Sequence, residues 1–563
     1  MPKRETRVAV RHTKADRRLA CSTVRDMRRI RLTQSRPASA RQRQRGSRHV
    51  YAFAMASPQH TRIAAARTHR GFHALLAVLG GAALVALAVA VLAEPAAKTP
   101  PRGAASAPDA RSIPTLTPTP PMPFNVMSYG AHADGTTDDR SAIASAAKAA
   151  VAAGGHVYFP AGTYRLTGTM TAVAGAYYYA PAGVTLRTQD DVFGANNCTF
   201  DGFTFQSYGS ATAIKIGQTP SYAASLVSNM TVKNCTFAAG TQEYTHSRII
   251  IWRGHDCVID HNTFTGTSGS GGNIQVIGGQ RNHITNNTIT GGTTAILFMW
   301  SRRFHGGGLD SIIEDNVVTG NTYSGYSEEG ISFDLMASNS DNGAMEYDTV
   351  AGVSGQTITL SNLAFPNYVG YDVVFVDGNL RGRTRTITGE SGHTFTVSGS
   401  LTGAAPGDHV TIGACYKNNY IAYNTGTSAA GSDPYSAILL YGLCFGNVIE
   451  HNTLVRGKIK VQSLDYTAVV AGSATGTHGR APCDYNTVQN NDVQDATGKV
   501  YLQYYALGGS YTPFVSEGNN VVGNTTPLVS GEYQDAYIAA NSGTESLSNV
   551  TKAGSPFVYD GGH

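Results

Sequence analysis

The chain has 563 residues, of which 41% are hydrophobic and 14% charged, and its formal net charge is +5. The positive charge is confined to the N-terminal part: residues 1–93 carry 19 Lys and Arg against 3 Asp and Glu, whereas residues 94–563 carry 24 against 35. The larger part is therefore acidic, which argues against a broad nucleic-acid-binding surface, and we expect no nucleic acid partner.

The first 93 residues are not expected to belong to the folded domain. Residues 1–54 are rich in Arg and lack hydrophobic periodicity, which is typical of a disordered basic extension or of a start assigned too early. Residues 55–93 have a basic stretch followed by an apolar run over 74–93, which indicates either a cleaved signal peptide or a retained membrane anchor. In both cases we expect a secreted or cell-envelope protein, with a Pro/Ala/Thr-rich linker over residues 94–123.

A helical pattern follows at the start of the part that we expect to fold. An alanine-rich segment over residues 139–153 repeats apolar residues at helical spacing, and Thr137 or Asp138 is placed to act as its N-cap. The predicted apolar stripe consists of Ala142, Ile143, Ala146, Ala147, Ala150 and Val151. A single helix at this point is suited to covering an open strand edge, which would otherwise promote aggregation.

The most informative pattern is a repeat built around asparagine. Its copies lie 25–39 residues apart, except for one interval of 108 residues, and most follow a short apolar alternation. The repeated residues are Asn234, Asn262, Asn287, Asn316, Asn424, Asn452 and Asn491. A period of this size, with two or three short strands and Gly/Asn turns in each unit, is typical of a solenoid. The sequence therefore predicts an all-β parallel β-helix in which Asn stacks on Asn at a tight turn.

The start of this domain also resembles a known signature. The stretch Phe-Asn-Val-Met-Ser-Tyr-Gly-Ala-His-Ala-Asp-Gly at 124–135 and the stretch Gly-Gly-His-Val-Tyr-Phe-Pro at 154–160 are similar to the opening of the pectate-lyase-like superfamily. That group includes rhamnogalacturonases, polygalacturonases and several phage tailspikes. The resemblance implies a right-handed parallel β-helix with an N-terminal capping helix. It does not specify a reaction, because one fold hosts many activities.

The long interval in the repeat indicates an inserted domain. Residues 346–414 contain short β segments separated by Gly-containing turns, which predicts a small β-barrel or sandwich between two coils. The β-helix is then expected over residues 124–345 and 415–550, followed by a short tail over 551–563. An insert that leaves after Asp334 and returns before Tyr441 would form a wall beside the face that carries both residues.

The cysteines allow two interpretations. Cys198 and Cys235 occupy the same place in two copies of the repeat, and Cys415, Cys444 and Cys483 lie at similar distances before their repeat asparagines. Equivalent positions in adjacent coils lie about 4.8 Å apart, which permits disulfides in an exported protein. An internal stack of buried free thiols is equally compatible with the pattern. None of the six cysteines beyond the signal has metal-ligand spacing, and we predict no metal site.

One strand of each coil repeats well enough for its two faces to be distinguished. Because side chains alternate along a strand, Ile331 and Phe333 should point inward. The outward column then contains Trp252, Met299, Asp334, Tyr441, Gln462 and Gln503, and beside it lie Gln275, Leu297, Ser332, Leu439, Lys460 and Tyr501. Aromatic, amide and charged groups along an elongated face suit a sugar chain, although an ordinary solvated sheet face would show the same pattern.

Carboxylates concentrate on this face. Glycosidic hydrolysis needs one protonated and one ionised carboxyl group, and clustered carboxylates raise one another's pKa. We therefore predict Asp334, Glu329 and Glu328 as catalytic residues of a glycoside hydrolase. The predicted substrate-binding residues are Arg302, Arg303, His305, Tyr441, Lys460 and Trp252. The alternative is that the carboxylates only form ion pairs with Arg302 and Arg303.

Part of this site also resembles known hydrolases. The strand from Gly330 to Asp334 is similar in position to the acidic strand of polygalacturonase-type hydrolases, and Lys458-Ile-Lys460 is similar to their Arg-Ile-Lys substrate clamp.

Two other functions are compatible with the same residues. A polysaccharide lyase would use Arg or Lys as a base and could hold Ca²⁺ with the acidic cluster, whereas a hydrolase would need no cofactor. A non-catalytic adhesive protein would use the same groove for recognition alone. In each case the expected partner is a polysaccharide, and membrane contact is expected only through residues 74–93. A monomer and a trimer both remain compatible with the sequence.

Overall fold

The structure is a computed structural model, and it describes residues 122–208, 213–217, 226–238, 247–265, 272–299, 313–335, 345–362, 368–429, 435–466, 479–494, 499–507 and 513–560. The predicted export segment and the predicted linker up to residue 121 lie outside these residues, whereas Pro123, the last residue of the predicted linker, already begins the first strand. None of the helices in the described ranges is long and apolar enough to cross a membrane.

The chain winds as a parallel β-helix, and each coil contributes one strand to each of three faces. We call the face with the longest strands the first face. Its strands are β5 (Met170–Thr171), β8 (Val192–Phe193), β11 (Ile214–Ile216), β15 (Ile249–Ile251), β19 (Ile274–Val276), β23 (Thr294–Met299), β27 (Glu329–Asp334), β37 (Ser436–Tyr441), β41 (Lys458–Tyr466), β46 (Lys499–Leu507), β48 (Leu528–Ala539) and β49 (Thr544–Lys552). Neighbouring strands on this face pair in parallel.

The second and third faces close the coil. The second face consists of β1 (Pro123–Asn125), β3 (His156–Tyr158), β6 (Tyr177–Tyr179), β9 (Thr199–Asp201), β13 (Thr231–Lys233), β17 (Val258–Asp260), β21 (His283–Thr285), β25 (Val317–Thr319), β35 (Tyr420–Ala422), β39 (Val448–Glu450), β44 (Thr487–Gln489) and β47 (Ser516–Val522). The third consists of β2 (Asp134–Asp138), β4 (Gly162–Leu166), β7 (Val184–Thr188), β10 (Thr204–Ser207), β14 (Thr236–Ala238), β18 (Thr263–Phe264), β22 (Thr288–Thr290), β26 (Thr322–Tyr326), β36 (Thr425–Ser428), β40 (Thr453–Val455) and β45 (Asp492–Gln494).

Short strands turn the chain between the first and second faces. They are β12 (Val227–Ser228), β16 (Gly254–His255), β20 (Gly279–Gln280), β24 (Ile313–Glu314), β34 (Tyr416–Lys417), β38 (Cys444–Phe445) and β43 (Cys483–Asp484). The all-β fold class predicted from the sequence, a parallel β-helix with a capping helix and an inserted β domain, is confirmed.

The N-terminal end of the β-helix is covered by a helix. A 3₁₀ turn, Val126–Tyr129, precedes helix α1, Arg140–Ala153, which packs against β1 and β3. The N-cap position is Asp139 rather than Thr137 or Asp138. Its carboxylate makes no capping hydrogen bond and instead accepts the backbone N–H of His132 at 2.7 Å. Five of the six residues of the predicted stripe are buried, whereas Val151, in the last turn, is 39% exposed.

Two asparagine ladders, rather than one, run along the interior. In the first, each side-chain amide donates to the Oδ1 atom of the next asparagine at 2.9–3.0 Å, through Asn262, Asn287, Asn321, Asn424, Asn452, Asn491, Asn524 and Asn541. The second joins Asn282, Asn316, Asn419, Asn447, Asn486 and Asn519 at 2.9–3.2 Å.

The structure corrects two positions of the predicted repeat. Asn316 belongs to the second ladder, and Asn321 is its equivalent in the first. Asn234 lies in neither, since Cys235 occupies the ladder position and donates its backbone N–H to Asn262. The left-handed residue comes just before the ladder residue, as at His261 with φ 52°. The ladder asparagine thus satisfies buried backbone groups, and the preceding residue makes the turn.

The inserted domain is a closed antiparallel barrel. Its strands are β28 (Met345–Ser354), β29 (Thr357–Leu360), β30 (Asp372–Phe375), β31 (Thr384–Ser391), β32 (Thr394–Val397) and β33 (His409–Gly413). The barrel contacts β42 (Gly479–Ala481), which pairs antiparallel with the end of β41, and Thr411 donates to the carbonyl of Arg480. Arg381 anchors the barrel further by pairing with Glu517 and Asp535, each at 3.0 Å.

All six cysteines in the described part of the chain are buried free thiols. Burial raises the pKa of Cys198, Cys235 and Cys257 to about 12, so these groups stay protonated at neutral pH. The structure therefore shows the thiol arrangement rather than the disulfide alternative.

Candidate functional site

The inward side of the first face is apolar from β11 to β46, as the alternation predicts. Ile331 and Phe333 are fully buried, and the Phe333 ring stacks on Phe298 of the preceding coil with centroids 4.2 Å apart. The outward positions are paired in the predicted register. Asp334 lies between Met299 and Tyr441, and Ser332 lies between Leu297 and Leu439. Adjacent coils are about 4.8 Å apart, so these outward residues form columns along the β-helix.

Glu329 reaches the same environment as Asp334 because strand β27 begins irregularly. By simple alternation Glu329 would point inward with Ile331. Instead Gly330 faces the core, where a Cβ atom would lie 2.3 Å from the ring of Tyr323. A glycine at this point lets two successive residues face inward, which returns Glu329 to the outward side. The equivalent pair Ala295 and Ile296 in the preceding coil is also buried in the core.

The carboxyl group of Glu329 is strongly perturbed. Burial raises its pKa to about 7, and the negative charges of Asp334 and Glu328 act in the same direction. The Thr294 hydroxyl donates to Glu329 Oε2 at 3.1 Å, and this bond and the charge of Lys460 lower the pKa less strongly. A carboxyl group that is half protonated near neutral pH can both donate and accept a proton in a reaction.

The other two predicted carboxylates differ in their exposure. Asp334 is half-buried on the outward side of the strand, and Glu328 is exposed at the turn before it. The backbone N–H of Glu328 donates to the carbonyl of Thr293 at 3.0 Å, which holds the turn against the preceding coil. The structure thus brings all three carboxylates close enough for Asp334 and Glu328 to influence Glu329 electrostatically.

A tyrosine that the sequence reasoning missed lies over this site. The Lys460 ammonium lies 3.2 Å from the centroid of the Tyr435 ring, and the Tyr435 hydroxyl donates to Gln462 Oε1 at 2.8 Å. Burial raises the pKa of Tyr435, and the charges of Glu329 and Asp334 add to the shift. Tyr435 is 37% exposed, whereas Lys460 is 8% exposed. Tyr435 precedes strand β37 by one residue, and the repeat alone gave no signal for it.

Several buried polar atoms along this face have no hydrogen-bond partner. They are Ser332 Oγ, Ser436 Oγ, Gln462 Nε2 and Gln503 Oε1. Ser332 and Gln462 lie in the two outward columns, and Ser436 pairs with Glu329 in register. Atoms of this kind occur elsewhere in the described part of the chain as well, but Ser332 and Ser436 lie on β27 and opposite Glu329, where their hydroxyl groups can bond to a ligand.

The structure places the remaining predicted residues differently. Tyr441 and Lys460 lie one and two coils from β27, as the repeat predicts. Trp252 is on the outward side but only 6% exposed, within an apolar cluster of Ile250, Trp252, Ile277, Leu297 and Met299. Its indole is therefore packed against neighbouring side chains, and Tyr441 and Lys460, each 8% exposed, are buried to a similar degree. Arg302, Arg303 and His305 lie outside the described residues.

Within the ranges that the structure describes, no group of three or more His, Cys, Asp or Glu side chains is arranged to hold a metal ion.

Comparisons with curated proteins find short matches. Mannuronan C5-epimerase AlgE3 of Azotobacter vinelandii is 56% identical over 48 residues, which are 8% of this chain and 3% of that protein. AlgE5 of the same organism is 54% identical over 48 residues, or 5% of its length. The chain therefore matches only a small fraction of the length of these relatives.

Solved structures are similar at low sequence identity. The surface protein and adhesin PfbA of Streptococcus pneumoniae matches 78% of this chain and 100% of its own, with 13% identity and a TM-score of 0.41. The Dettilon tailspike protein matches 76% and 68%, with 12% identity and a TM-score of 0.42. The A-module of Azotobacter vinelandii mannuronan C-5 epimerase AlgE4 matches 76% and 100%, with 15% identity and a TM-score of 0.28.

A family model covers a larger part of the sequence. It spans residues 123–322, which include the opening signature, the capping helix and the coils up to the strand before Glu329. Over residues 123–322 the chain thus matches the family described as rhamnogalacturonase A/epimerase, pectate lyase-like, and the resemblance to the pectate-lyase-like superfamily is confirmed.

Proposed function

We propose that the protein is an enzyme that acts on a polysaccharide, with Glu329 as the group that exchanges a proton with the substrate. The observation that carries this proposal is the pKa of Glu329, which burial and the neighbouring carboxylates raise to about 7 on the outward side of the first face. A general acid or base works best with a pKa near the operating pH, so a carboxyl group perturbed in this way suits proton exchange with a substrate.

Glycoside hydrolysis is the reaction that we favour. Protonated Glu329 donates its proton to the glycosidic oxygen, so that the leaving sugar departs as a neutral alcohol. Ionised Asp334 either accepts a proton from the water that attacks the anomeric carbon or attacks that carbon itself, before water completes the hydrolysis. Glu328 assists by adding negative charge that keeps Glu329 protonated. Lys460 and Tyr441 bind the sugar hydroxyl or carboxylate groups around the scissile bond.

Elimination or epimerisation at C5 of a uronate is the second candidate. The observations in its favour are the buried Lys460 ammonium beside Glu329, which would pair with a uronate carboxylate, and the short match to mannuronan C5-epimerases. In this reaction ionised Glu329 removes the C5 proton. A lyase then breaks the bond from C4 to the glycosidic oxygen, which leaves as a hydroxyl by taking up the proton that Glu329 now carries, whereas an epimerase delivers a proton from solvent to the opposite side of C5. Ca²⁺ would be a further component if the reaction is elimination.

The test is to incubate the full-length purified protein with pectate, rhamnogalacturonan, alginate, arabinan and galactan. Reducing ends, ultraviolet absorbance of unsaturated products and proton NMR of the polymer are measured together, with Glu329→Gln as the matched variant. Reducing ends without new absorbance identify a hydrolase, both signals identify a lyase, and NMR changes alone identify an epimerase. Binding of a polymer without any of these changes, or full activity in Glu329→Gln, would refute the proposal in favour of an adhesive role or another site.

We also propose that the domain acts outside the cytoplasm, secreted or anchored by residues 74–93. The support is the basic stretch and apolar run that precede the linker. Sequencing the N-terminus of the protein recovered from its natural source tests this proposal. A terminus at Glu94 is expected for a cleaved signal, and a protein found only in the cytoplasm with residues 74–93 intact would contradict export.

A further inference from the structure

Glu329 lies between two hydroxyl-bearing residues, one in each neighbouring coil. Thr294 of β23 and Ser436 of β37 pair with it in register, and each strand is about 4.8 Å from the strand of Glu329. Thr294 is 4% exposed and Ser436 is 0% exposed. The three side chains therefore form a short row across adjacent strands, and water has little access to either hydroxyl-bearing residue.

The Thr294 hydroxyl is already bonded to the carboxyl group of Glu329. It donates to the Oε2 atom at 3.1 Å. An oxygen that accepts this hydrogen bond is favoured as the carbonyl oxygen of the protonated carboxyl group, because the donor hydrogen opposes a second hydrogen on the same atom. The exchangeable proton of Glu329 is therefore favoured on Oε1.

The Ser436 hydroxyl, on the other side of the carboxyl group, makes no hydrogen bond. Its Oγ atom is buried without a partner, although the backbone N–H of the same residue donates to the carbonyl of Glu328 at 3.4 Å. A buried polar atom without a partner costs free energy, and a serine hydroxyl can move by rotation about one bond. An ionised carboxylate can accept hydrogen bonds on both oxygens. Ser436 is therefore well placed to donate to Glu329 after the proton has left.

Charged groups face Glu329 from its own strand and from the neighbouring coils. Burial raises the pKa of Glu329, the charges of Asp334 and Glu328 raise it further, and the charge of Lys460 lowers it. Tyr435, which precedes β37, is neutral at neutral pH because burial raises its pKa. Two negative neighbours and one ammonium group leave the ionised form poorly stabilised, so hydrogen bonds to its oxygens affect how readily the proton leaves.

We propose that Thr294 and Ser436 are positioning residues that act together on the proton of Glu329. Thr294 holds Oε2, so that the proton is carried and released at Oε1. Ser436 then turns and donates a hydrogen bond to the carboxylate, which stabilises the ionised form until a proton returns. The consequence for catalysis rests on the proposed function, whereas the two hydrogen bonds can be tested without a substrate.

The test is a carbon-13 NMR titration of Glu329 in the full-length protein, in which Thr294→Val and Ser436→Ala each remove one hydroxyl with little change in size. Each substitution should raise the titration midpoint by about 0.5 pH units, because the ionised form loses a hydrogen bond. Thr294→Ser keeps the hydroxyl and should keep the wild-type midpoint. Thr322→Val, at an exposed position of the third face, is the matched control and should leave the midpoint unchanged. A midpoint that fails to rise in either of the first two variants would overturn the joint role.

Kinetics then separate this inference from the proposed function. On a polymer that is converted, Thr294→Val and Ser436→Ala should lower kcat about tenfold with little change in KM, and the pH profile should move upward with the midpoint. Circular dichroism shows that the β-helix persists. A raised midpoint with unchanged kcat and pH profile would overturn the role of the two hydroxyls in the reaction while leaving Glu329 as the acting group. Conversion of no polymer refutes the proposed function, and the titration then decides the inference alone.

Discussion

Two stretches of the first face share one backbone design and differ in chemistry. Strands β15, β19 and β23 and strands β27, β37, β41 and β46 pair in the same register and bury the same kind of inward residue. On the outward side, however, Leu297 and Met299 are replaced one coil later by Ser332 and Asp334. The inward residues and the asparagine ladders maintain the coil, so the outward positions are free to become either a closed apolar surface or a reactive site.

Of the substitutions that test this difference between the two stretches, replacement of Glu329 should cause the largest loss of activity. Glu329→Gln keeps the shape of the side chain and its position beside Thr294 but removes the titratable proton. Activity on the converted polymer should fall about 10²–10⁴-fold, as expected for loss of a general acid or base. The measurement is kcat/KM, with circular dichroism to show that the β-helix persists. Ile277→Val on the apolar side should keep full activity.

Asp334 tests whether a second carboxylate takes part. Asp334→Asn should lower kcat on the order of a hundredfold. It should also lower the pKa of Glu329, because the charge of Asp334 contributes to raising it. The pH profile of the residual activity reports that second effect. A variant with full kcat and an unchanged profile would remove Asp334 from the site.

The asparagine ladders should matter equally beneath both stretches. Asn287 lies directly before β22, the strand that precedes β23 of the apolar stretch, and Asn452 lies directly before β40, the strand that precedes β41 of the polar one. Both are buried with their amide groups hydrogen-bonded. Replacement of either by Ala should lower the free energy of unfolding by about 3 kcal/mol, because buried backbone groups lose their partners. Urea denaturation of the two variants provides the comparison. A much smaller loss of stability in the Asn287 variant would show that the asparagine ladder does not stabilise the two stretches equally.

The polar stretch should also lower the free energy of unfolding by an amount that depends on pH. Since the pKa of Glu329 is raised from 4.5 to about 7, the folded state holds a proton that the unfolded state has lost between these values. The free energy of unfolding should therefore fall as the pH rises through this window, by up to about 3 kcal/mol. Glu329→Gln should lack this contribution and become more stable than the wild type at about pH 8. Denaturation curves of both proteins across the window would detect it.

The smallest effect is expected at Tyr435, where two variants separate the ring from the hydroxyl. Tyr435→Leu removes the ring that lies over Lys460 and should raise KM about tenfold. Tyr435→Phe retains the ring and loses only the hydrogen bond to Gln462, so KM should rise about threefold or less. Equal effects of the two variants would show that the ring does not contact the substrate.

The period of the asparagine repeat and the sequence signature at the start of the domain were together sufficient to predict the fold. The repeat predicts the coils, the alanine stripe predicts helix α1, and the long interval predicts the barrel. The ladder assignment failed at Asn316 because six successive coils carry two asparagines five residues apart, as in Asn316 and Asn321, and the spacing between coils does not show which ladder a residue joins.

The site was harder to predict, for three physical reasons. Alternation would have turned Glu329 into the core, and only the close approach of Gly330 to Tyr323 shows why it does not. Trp252 has the correct parity for a binding residue, but its apolar neighbours in adjacent coils bury it. Tyr435 precedes strand β37 and contacts Lys460 on the adjacent strand β41, and this contact depends on how the two coils stack rather than on the sequence of either one.

The most direct test of the account is a carbon-13 NMR titration of the glutamate side-chain carboxyl groups in the full-length protein, with Glu329→Gln used to assign the resonance of Glu329. The account predicts a titration midpoint at about pH 7, in agreement with the raised pKa. Replacement of Asp334 by Asn should shift that midpoint downward. A Glu329 resonance that titrates near the ordinary value of 4.5 would contradict the proposed role of this residue.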